Sequence, residues 1–501
     1  MAINRLSKKD YQNILIVLLL AIIVIGGLYF RLKGIMSNHS FWADEAYVSS
    51  YSRDIVNDKN KLITSVLIQD YQPLQVLITY ASFMIFGVSE KAARLPSVFF
   101  GTLVIILAYM LAKHLSDRNG GLLAAFLFAF SQLNLANSTQ AKPYAALSML
   151  LLALIYMLVK KQSTGYWTIL ILVITPFVHS LAITFWIIYM FYMILFHKHN
   201  IIGLIKKPFV LGAIIIIFLL TINVLKVNSI IINFFSLNNN KFIFWFDNTM
   251  YLKNLLLKQY GIFVFPALLS LFVIYKKRKE LVISLSVWII VILFLWNFRQ
   301  YSHNIRYLVP FFGIVFVFFG VFWAEVGKYL LHKKSWIVIF IVGMILFISG
   351  YKVVKMPSYY YSPNADLYGD VQTADYKTLY QTVKKKFPDY KNMAIFNDIY
   401  DAHRWYMPEK TITALFMKGF GDMKPVRHGA AGIMIYKNLE QFISEKNKYS
   451  KGILIVEDWD SFLPEDIKQY AKKNMKKEIT VKSLKVAEND PWPLEVYSWG
   501  I

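Results

Sequence analysis

Several features that carry chemistry in other proteins are absent from this sequence. The chain of 501 residues has no cysteine, which excludes disulfides, thiolate metal sites and a cysteine nucleophile. It has neither a GxGxxG motif nor a P-loop, so nothing in it predicts nucleotide binding. Acidic residues are scarce, with 30 Asp and Glu against 54 Lys and Arg and a formal net charge of +24. This excess of positive charge needs a physical explanation.

Long apolar runs supply that explanation. The chain is 57% hydrophobic, and stretches such as 210–225 and 335–350 contain no charged residue. A membrane-spanning helix needs roughly 20 predominantly apolar residues. The Lys and Arg residues lie in short clusters between the runs, as positive-inside anchors do, so we expect a membrane and no nucleic acid as the partner. The sequence therefore predicts a polytopic α-helical protein of the plasma membrane.

The runs predict about eleven transmembrane helices. They cover residues 12–30, 95–112, 120–136, 145–159, 166–178, 180–196, 208–225, 251–275, 281–297, 307–324 and 336–351. The first run follows a basic start and has no small-residue cleavage site after it, which favours an uncleaved helix over a removed signal peptide.

Charge placement sets the predicted orientation. The run 74–88 is short, and it either lies along the surface or crosses the membrane. If it lies along the surface, all the inter-helix basic clusters fall on the side of the N-terminus. These clusters are Lys113/Arg118, Lys160/Lys161, Lys206/Lys207, Lys276–Lys279 and Lys333/Lys334. The positive-inside rule favours this choice, with a cytoplasmic N-terminus.

Residues 31–94 then form one long outer loop with surface helices. Within it, Tyr47, Val48, Tyr51 and Ile55 share one helical face, which predicts an amphipathic helix at the membrane interface.

The C-terminal part has a different composition, which divides the chain into a transmembrane domain, 1–351, and an extracytoplasmic domain, 352–501. Short β-type runs alternate with helical ones there, and this pattern predicts a small α/β domain. The predicted strands are 392–397, 431–437, 451–457 and 478–486, and the predicted helices are 376–387 and 464–474.

Polar residues from four distant stretches are predicted at the outer membrane face. They are Asp44 and Glu45, Arg94, the group Gln140, Lys142 and Tyr144, and the group His303, Arg306 and Tyr307. Each has a structural alternative. Asp44 could be a helix N-cap with Glu45 in the first turn. The two Arg residues could be snorkelling anchors, Lys142 a solvated loop residue and His303 structural. Cations at outer helix ends nevertheless oppose the positive-inside trend, so we expect an anionic partner.

The order of motifs resembles the glycosyltransferase C superfamily. The resemblance is to its prokaryotic branch, which is similar to protein O-mannosyltransferases and lipid A aminoarabinose transferases, and it covers about 1–350. The motifs are "DE" (44–45), "YQPL" (71–74), "RLPS" (94–97), "STQAKPYAAL" (138–147) and "RYLVP" (306–310). Two positions depart from the family. A His-Pro-Pro stretch is reduced to Gln72-Pro73, and an Arg is replaced by Lys142, which loses the bidentate fork.

The resemblance implies transfer of a hexose or pentose, with inversion, from a polyprenyl-phosphate carrier. The acceptor would be a hydroxyl or amine of a lipid, glycan or protein on the outer face. Asp44 would act as the base, with Glu45 beside it orienting the acceptor or serving the structure. Arg94, Lys142 and Arg306 would bind the donor phosphate. The remaining substrate-binding residues would be Gln140, Tyr144, His303 and Tyr307.

Asp44 and Glu45 are neighbours at a helix start and point about 100° apart. They therefore cannot flank one bond, as a glycosidase pair does. A divalent cation at Asp44, Glu45 and His303 is conceivable, but no spacing motif indicates one, and no other cofactor is implied.

Two other functions fit a multi-pass chain. A transporter or lipid flippase would place ionisable residues near the membrane midplane, often beside broken helices, whereas the predicted spans are almost free of charge. A non-catalytic assembly or carbohydrate-binding protein could keep the same fold without the chemistry.

Overall fold

The computed structural model divides the chain into two compact units. It describes residues 8–36, 40–67, 72–196, 212, 252–298, 305–332, 336–349, 374–418, 424–427, 432–458, 461–484 and 493–501. The first unit comprises Met1–Met36, Gln69–Ile78 and Arg94–Tyr368, and the second comprises Ser37–Ile68, Thr79–Ala93 and Gly369–Ile501. The predicted span 208–225, apart from residue 212, lies outside the described residues, and so does the predicted domain boundary at 351/352, which stays a prediction.

The described residues up to 349 are almost entirely helical. In chain order the helices are α1 (Lys8–Met36), α2 (Ala43–Asn57), α3 (Leu62–Leu67), α4 (Pro73–Phe86), α5 (Glu90–Leu115), α6 (Arg118–Phe130), α7 (Gln132–Ser138), α8 (Tyr144–Val159), α9 (Tyr166–Val178), α10 (Phe185–Phe196), α11 (Gly261–Lys277), α12 (Lys279–Phe298), α13 (Val309–Leu331) and α14 (Trp336–Ser349). Short 3-10 turns lie at Lys59–Lys61, Ser180–Thr184 and Ile305–Leu308, and a π-helical turn lies at Asn254–Gln259. Every apolar run predicted within the described residues is helical, as expected.

Length distinguishes these helices from one another. Within the described residues, Tyr11–Met36, Glu90–Leu115 and Arg306–Leu331 are long and apolar enough to cross a membrane, and the bent pair α6 and α7 would make a fourth span. Helices α8, α9 and α10 have 16, 13 and 12 residues. At 1.5 Å per residue they are shorter than the roughly 30 Å hydrocarbon core. The count of eleven spans therefore stays a prediction.

The predicted continuous span 120–136 is wrong in one respect. The chain bends by 56° between α6 and α7, because Ser131 adopts an extended conformation, with φ −67° and ψ 135°, that ends α6. The two apolar segments are separate helices.

Helix α13 is the centre of the first unit. Its residues Val309 to Val321 are all buried. It approaches α6 closely at two glycines, since a Cβ on Gly320 would lie 2.5 Å from the carbonyl oxygen of Gly120. On another side, the Phe312 ring lies 4.2 Å from that of Tyr260, between centroids. Small residues and aromatic stacking thus hold the bundle together where hydrophobicity alone gives no preference between helix and lipid.

One end of the first unit is marked by ion pairs. Lys328 Nζ lies 3.3 Å from Asp117 and 2.8 Å from Glu325, and Lys277 Nζ lies 3.6 Å from Glu325. The α5–α6 junction, the α11–α12 junction and the end of α13 therefore lie at the same end. This agrees with the common side predicted for the basic clusters, as far as they fall in the described residues. The side of the membrane that this end faces stays a prediction.

The second unit contains a mixed sheet. Its strands are β1 (Ala394–Asn397), β2 (Ala414–Phe416), β3 (Val426–Arg427), β4 (Met434–Tyr436), β5 (Gly452–Val456), β6 (Lys476–Val481) and β7 (Leu494–Trp499), in the order β3-β4-β2-β1-β5-β7-β6. Strands β4, β2, β1 and β5 are parallel, with Ile395 opposite Ile453 in the register of β1 and β5. Strands β3, β7 and β6 run antiparallel to their neighbours.

Helices cover both faces of this sheet. They are α15 (Tyr376–Lys386), α16 (Tyr400–Tyr406), α17 (Leu439–Lys446) and α18 (Glu465–Asn474). Successive strand residues point to opposite faces, so Ile395 packs with the α15 side and Phe396 with the α17 and α18 side. The predicted α/β fold is confirmed, and so are all four predicted strands and both predicted helices. Strands β2, β3 and β7 and helices α16 and α17 were not predicted.

The second unit also contains part of the segment 31–94, which was predicted to be an outer loop. Val48, Tyr51 and Ile55 of α2 are buried, and the Arg404 guanidinium lies 3.8 Å from the centroid of the Tyr51 ring. The prediction of an interfacial helix is therefore wrong. The apolar face of α2 packs against α16 of the C-terminal part, because the amphipathic pattern that suits a lipid surface also suits a protein surface.

Candidate functional site

Asp44 and Glu45 lie in the first turn of α2, in different environments. The helix begins at Ala43 with Trp42 as its N-cap, so the alternative that made Asp44 the N-cap is wrong. Glu45 is fully buried, and its Oε2 accepts a hydrogen bond from the Trp42 backbone N–H at 3.4 Å. Asp44 remains partly exposed. Glu45 therefore stabilises the start of α2, and Asp44 is the more accessible of the two carboxylates.

The two segments "RLPS" and "STQAKPYAAL" meet in the first unit. Ser97 Oγ donates a hydrogen bond to the carbonyl oxygen of Lys142 at 3.0 Å. Arg94 lies about one turn before Ser97 on α5, which begins at Glu90 and not at the predicted 95. Arg94 and Lys142 are only 1% and 5% exposed. Two cations are thus buried on neighbouring segments.

The Lys142 segment is irregular for local reasons. Residues 139–143 are not helical, and the Lys142 N–H donates to the Gln140 carbonyl at 2.7 Å. Pro143 disfavours a helical conformation for the residue before it, and α8 begins immediately after it at Tyr144. Gln140 is fully buried within this turn. The structure therefore places Gln140 and Lys142 on the connection between α7 and α8, and Tyr144 at the start of α8.

Tyr144 brings in the "RYLVP" segment. Its ring centroid lies 6.2 Å from that of Tyr307 and 5.7 Å from that of His179, which is itself 6.3 Å from Tyr307. The guanidinium carbon of Arg306 lies 5.0 Å from the Tyr307 ring centroid, and Arg306 Nη2 donates to the Tyr307 hydroxyl at 3.1 Å. Three of the predicted stretches thus converge.

His179 is a member of this cluster that was not predicted. It ends α9, is buried, and its Nδ1 accepts a hydrogen bond from the Leu181 N–H at 3.0 Å. A neutral imidazole that accepts at Nδ1 carries its proton on Nε2, so the ring can still donate. The only sequence signal was a single polar residue between two apolar runs.

Arg31 of α1 was also not predicted. It is fully buried and donates hydrogen bonds to the carbonyls of Gly27, Ala129 and Phe128 at 2.9, 3.1 and 2.8 Å. Phe128 and Ala129 lie in the last turn of α6, where carbonyls lose their helical partners. Arg31 therefore stabilises the break between α6 and α7, and so positions the segment that leads to Lys142.

In the second unit, α16 supports the start of α2. Phe41, just before α2, donates from its backbone N–H to the Tyr406 hydroxyl at 2.6 Å, and its ring centroid lies 4.9 Å from that of Trp405. Arg404 forms an ion pair with Asp54. Arg53 donates to the carbonyls of Arg404 and Trp405 at 2.8 and 3.0 Å. A cation is favourable there because the C-terminal end of a helix carries a partial negative charge.

Asp401 lies on the same helix. Burial raises the pKa of Asp401 to about 7, with a further contribution from the negative charge of Asp44, while Arg404 opposes the shift. The carboxylates of Asp44 and Asp401 therefore interact electrostatically.

The predicted residues fall into two sets. Asp44 and Glu45 lie in the second unit, and Arg94, Gln140, Lys142, Tyr144, Arg306 and Tyr307 lie in the first. His303 lies outside the described residues. Among the residues that the structure describes, no group of three His, Asp or Glu side chains could hold a metal ion.

Comparisons with known proteins give a family match to part of the chain and several structures of similar fold. A family model described as dolichyl-phosphate-mannose-protein mannosyltransferase matches residues 70–225, a range that contains three of the five motifs. Among curated protein sequences, none matches this chain significantly.

Solved structures show the fold. ArnT from Cupriavidus metallidurans in the apo state is similar, with 11% identity and a TM-score of 0.63 over 95% of this chain and 97% of that chain. The same protein bound to undecaprenyl phosphate gives 12% identity and a TM-score of 0.60, with the same coverage. Archaeal AglB from Archaeoglobus fulgidus, in complex with an inhibitory peptide and a dolichol-phosphate, gives 11% identity and a TM-score of 0.54 over 89% of this chain and 70% of that chain.

The motif-based resemblance to the glycosyltransferase C superfamily is thereby confirmed. The family match covers residues 70–225, and ArnT is similar in fold over 95% of this chain. At these identities the structural similarity establishes the fold of the chain.

Proposed function

We propose that the chain is an integral-membrane glycosyltransferase. It transfers one sugar from a polyprenyl-phosphate carrier to a hydroxyl or amine of a lipid, glycan or protein acceptor, on the outer face of the plasma membrane. The family match supports a lipid-linked donor, as do the undecaprenyl phosphate bound by ArnT and the dolichol-phosphate bound by AglB. The observation that carries the proposal is the convergence of Arg94, Lys142 and the Tyr307 segment, none of which was adjacent in sequence.

The cations of the first unit bind the donor phosphate in this proposal. Arg94 and Lys142 are buried cations on neighbouring segments, since Ser97 of α5 donates a hydrogen bond to the Lys142 carbonyl. Charge-assisted hydrogen bonds to phosphate oxygens are about twice as strong as neutral ones. Arg306, partly buried beside Tyr307, supplies a third cation. The set would stabilise the negative charge that develops on the leaving phosphate.

Asp44 is the base in this proposal. The acceptor oxygen or nitrogen attacks the anomeric carbon, the bond from that carbon to the phosphate oxygen breaks, and the phosphate leaves with the electron pair. The acceptor proton passes to an Asp44 carboxylate oxygen, and a single displacement inverts the anomeric centre. Glu45 is engaged with the Trp42 N–H, so we assign it a structural role.

Gln140, Tyr144, Tyr307 and His179 complete the proposed donor region. Their amide, hydroxyl and imidazole groups are suited to sugar hydroxyls, and the aromatic rings are suited to the sugar face or the isoprenoid chain. His303 keeps its predicted substrate-binding role as a proposal.

Substitution of Asp44 tests the proposal. Asp44→Asn keeps the shape and removes the charge, and general-base catalysis contributes about 10²- to 10⁴-fold. We expect turnover to fall at least about a hundredfold while binding of donor lipid is retained. The helix-dipole interaction lost at this position is worth only about 0.3–1 kcal/mol, so the protein should stay folded.

Two further variants make the result specific. Asp58→Asn is the matched control, since Asp58 only caps a 3-10 turn by accepting from the Asn60 N–H at 3.0 Å. It should leave turnover unchanged. Lys142→Ala should weaken donor binding as well as turnover. A folded Asp44→Asn protein with near-normal transfer of sugar would contradict the assignment. Donor translocation without sugar transfer would instead support a flippase, which the break between α6 and α7 would also suit.

A further inference from the structure

Helix α16 is fixed against α2 along its length. At its C-terminal end, Trp405 and Tyr406 contact Phe41, as described above. Directly before them, Arg404 pairs with Asp54 and lies over the ring of Tyr51. Asp401, one further turn earlier, has no contact of this kind with α2. The packing of α16 against α2 therefore depends on these residues and not on the Asp401 carboxylate.

The Asp401 carboxylate is buried on one side and incompletely satisfied. Its Oδ1 is inaccessible and has no hydrogen-bond partner among the residues that the structure describes. Buried polar atoms are normally hydrogen-bonded, and an exception calls for an explanation. Arg404, three residues later, is well placed on the helix to pair with it. That guanidinium is instead engaged by Asp54 and Tyr51.

Asp401 is nevertheless within reach of a ligand. The residue is partly exposed as a whole. The terminal torsion of an Asp side chain is broad and roughly two-fold, so rotation about it can bring either oxygen to the accessible side. The charged groups that influence it are Asp44 on α2 and Arg404 on its own helix. Around Arg404 lie Asp54 and Tyr51 of α2 and Tyr400 of α16.

We propose that Asp401 is an acceptor-binding residue that works beside Asp44. Its carboxylate accepts a hydrogen bond from a second donor group of the acceptor, a neighbouring hydroxyl of a polyol or a second N–H of an ammonium group. Asp44 meanwhile receives the proton of the attacking group. This inference rests on the proposed glycosyltransferase function, and it assigns part of acceptor recognition to the C-terminal residues.

A pH dependence follows from this role. The pKa of Asp401 is about 7, so its ionised fraction rises about tenfold between pH 6 and pH 8. The ionised form accepts a charge-assisted hydrogen bond, which is roughly twice as strong as the one the protonated form can accept. We therefore expect kcat/KM for the acceptor to rise about tenfold over this interval. Transfer of the sugar to water, which needs no second donor group, should show no such rise.

The experiment uses the full chain, purified and reconstituted with donor lipid extracted from its native host. The acceptor probe is the cell-envelope extract of a host strain that lacks the gene, in which unmodified acceptor accumulates. Sugar transfer is followed by mass spectrometry as a sugar-sized mass increase, and transfer to water as release of free sugar. Wild type, Asp401→Asn, Asp54→Asn and Asp44→Asn are compared at pH 6, 7 and 8.

Asp401→Asn should lower acceptor kcat/KM at pH 8 by about ten- to a hundredfold, because a hydrogen bond to a charged group is lost. It should abolish the pH dependence and leave transfer to water unchanged. Asp44→Asn should lower both reactions. Asp54→Asn releases Arg404 from its ion pair, and Arg404 opposes the rise in the pKa of Asp401. This variant should therefore keep the pH dependence but move it to lower pH.

The outcomes separate the two proposals. Absence of any sugar transfer by the wild type would overturn the proposed function. Wild-type transfer with a flat acceptor profile from pH 6 to 8 would overturn the role of Asp401 alone, even if Asp401→Asn failed to fold. Equal losses in transfer to acceptor and to water with Asp401→Asn would also overturn it, since they would indicate a structural role.

Discussion

Substitution of Arg31 tests how the bend in the first unit is maintained. Arg31→Met keeps most of the side-chain length and removes the guanidinium. The break at Ser131 leaves the carbonyls of Phe128 and Ala129 without helical partners. The Arg31 guanidinium donates a hydrogen bond to each of them instead. With methionine in place, both carbonyls are buried without a donor.

The magnitude follows from those two carbonyls. Each buried polar group left without a partner costs about 1–3 kcal/mol. The two together should destabilise the protein by about 2–6 kcal/mol, less the free energy regained because a buried charge is removed. Arg31→Lys is the matched control. A single ammonium keeps the charge but cannot span three carbonyls, so it should recover only part of the loss.

Denaturant unfolding in detergent micelles measures the change in free energy. Hydrogen exchange followed by mass spectrometry should show faster exchange in α7 and residues 139–143, because the segment after the break is no longer held. A folded Arg31→Met protein within about 0.5 kcal/mol of wild type, with unchanged exchange there, would refute the reasoning.

Two other contacts give direct tests. In a double-mutant cycle of Asp54→Ala and Arg404→Ala, we expect a coupling energy of about 1–2 kcal/mol, because the paired side chains are only 22% and 16% exposed. A value near zero would show that the two side chains act independently. The predicted topology can be tested with single cysteines, since the chain has no cysteine. A membrane-impermeant maleimide should label a cysteine at Asn364 in intact cells and spare one at Lys277, and the reverse pattern would overturn the orientation.

Elements with strong local signals could be predicted from the sequence. The apolar runs predicted the helices, and the short β-type runs 392–397 and 451–457 predicted the central strands, because strands buried on both faces are mostly apolar along their length. The break at Ser131 could not be predicted in this way. It depends on Arg31, about a hundred residues away, and a serine between apolar residues is also common inside a helix.

The candidate site was predictable only where motifs mark it. The segments of Arg94, Lys142 and Tyr307 were expected together, and the structure brings them together. His179 was missed because one buried histidine is usually structural. Asp401 was missed because its neighbourhood depends on α16 packing against α2, about 350 residues away in sequence. A helix of seven residues, Tyr400–Tyr406, gives almost no periodic signal.

The packing of α2 changes how the C-terminal residues should be probed. Deleting 352–501 would be the simplest test of whether they select the acceptor. That deletion would also uncover Val48, Tyr51 and Ile55 and remove the hydrogen bond to Phe41. The start of α2, and with it Asp44, would lose its support, so loss of activity would not distinguish acceptor binding from misfolding of the first loop. Substitutions on α16 avoid this difficulty, because Asp401 can be changed while Arg404, Trp405 and Tyr406 keep the helix in place.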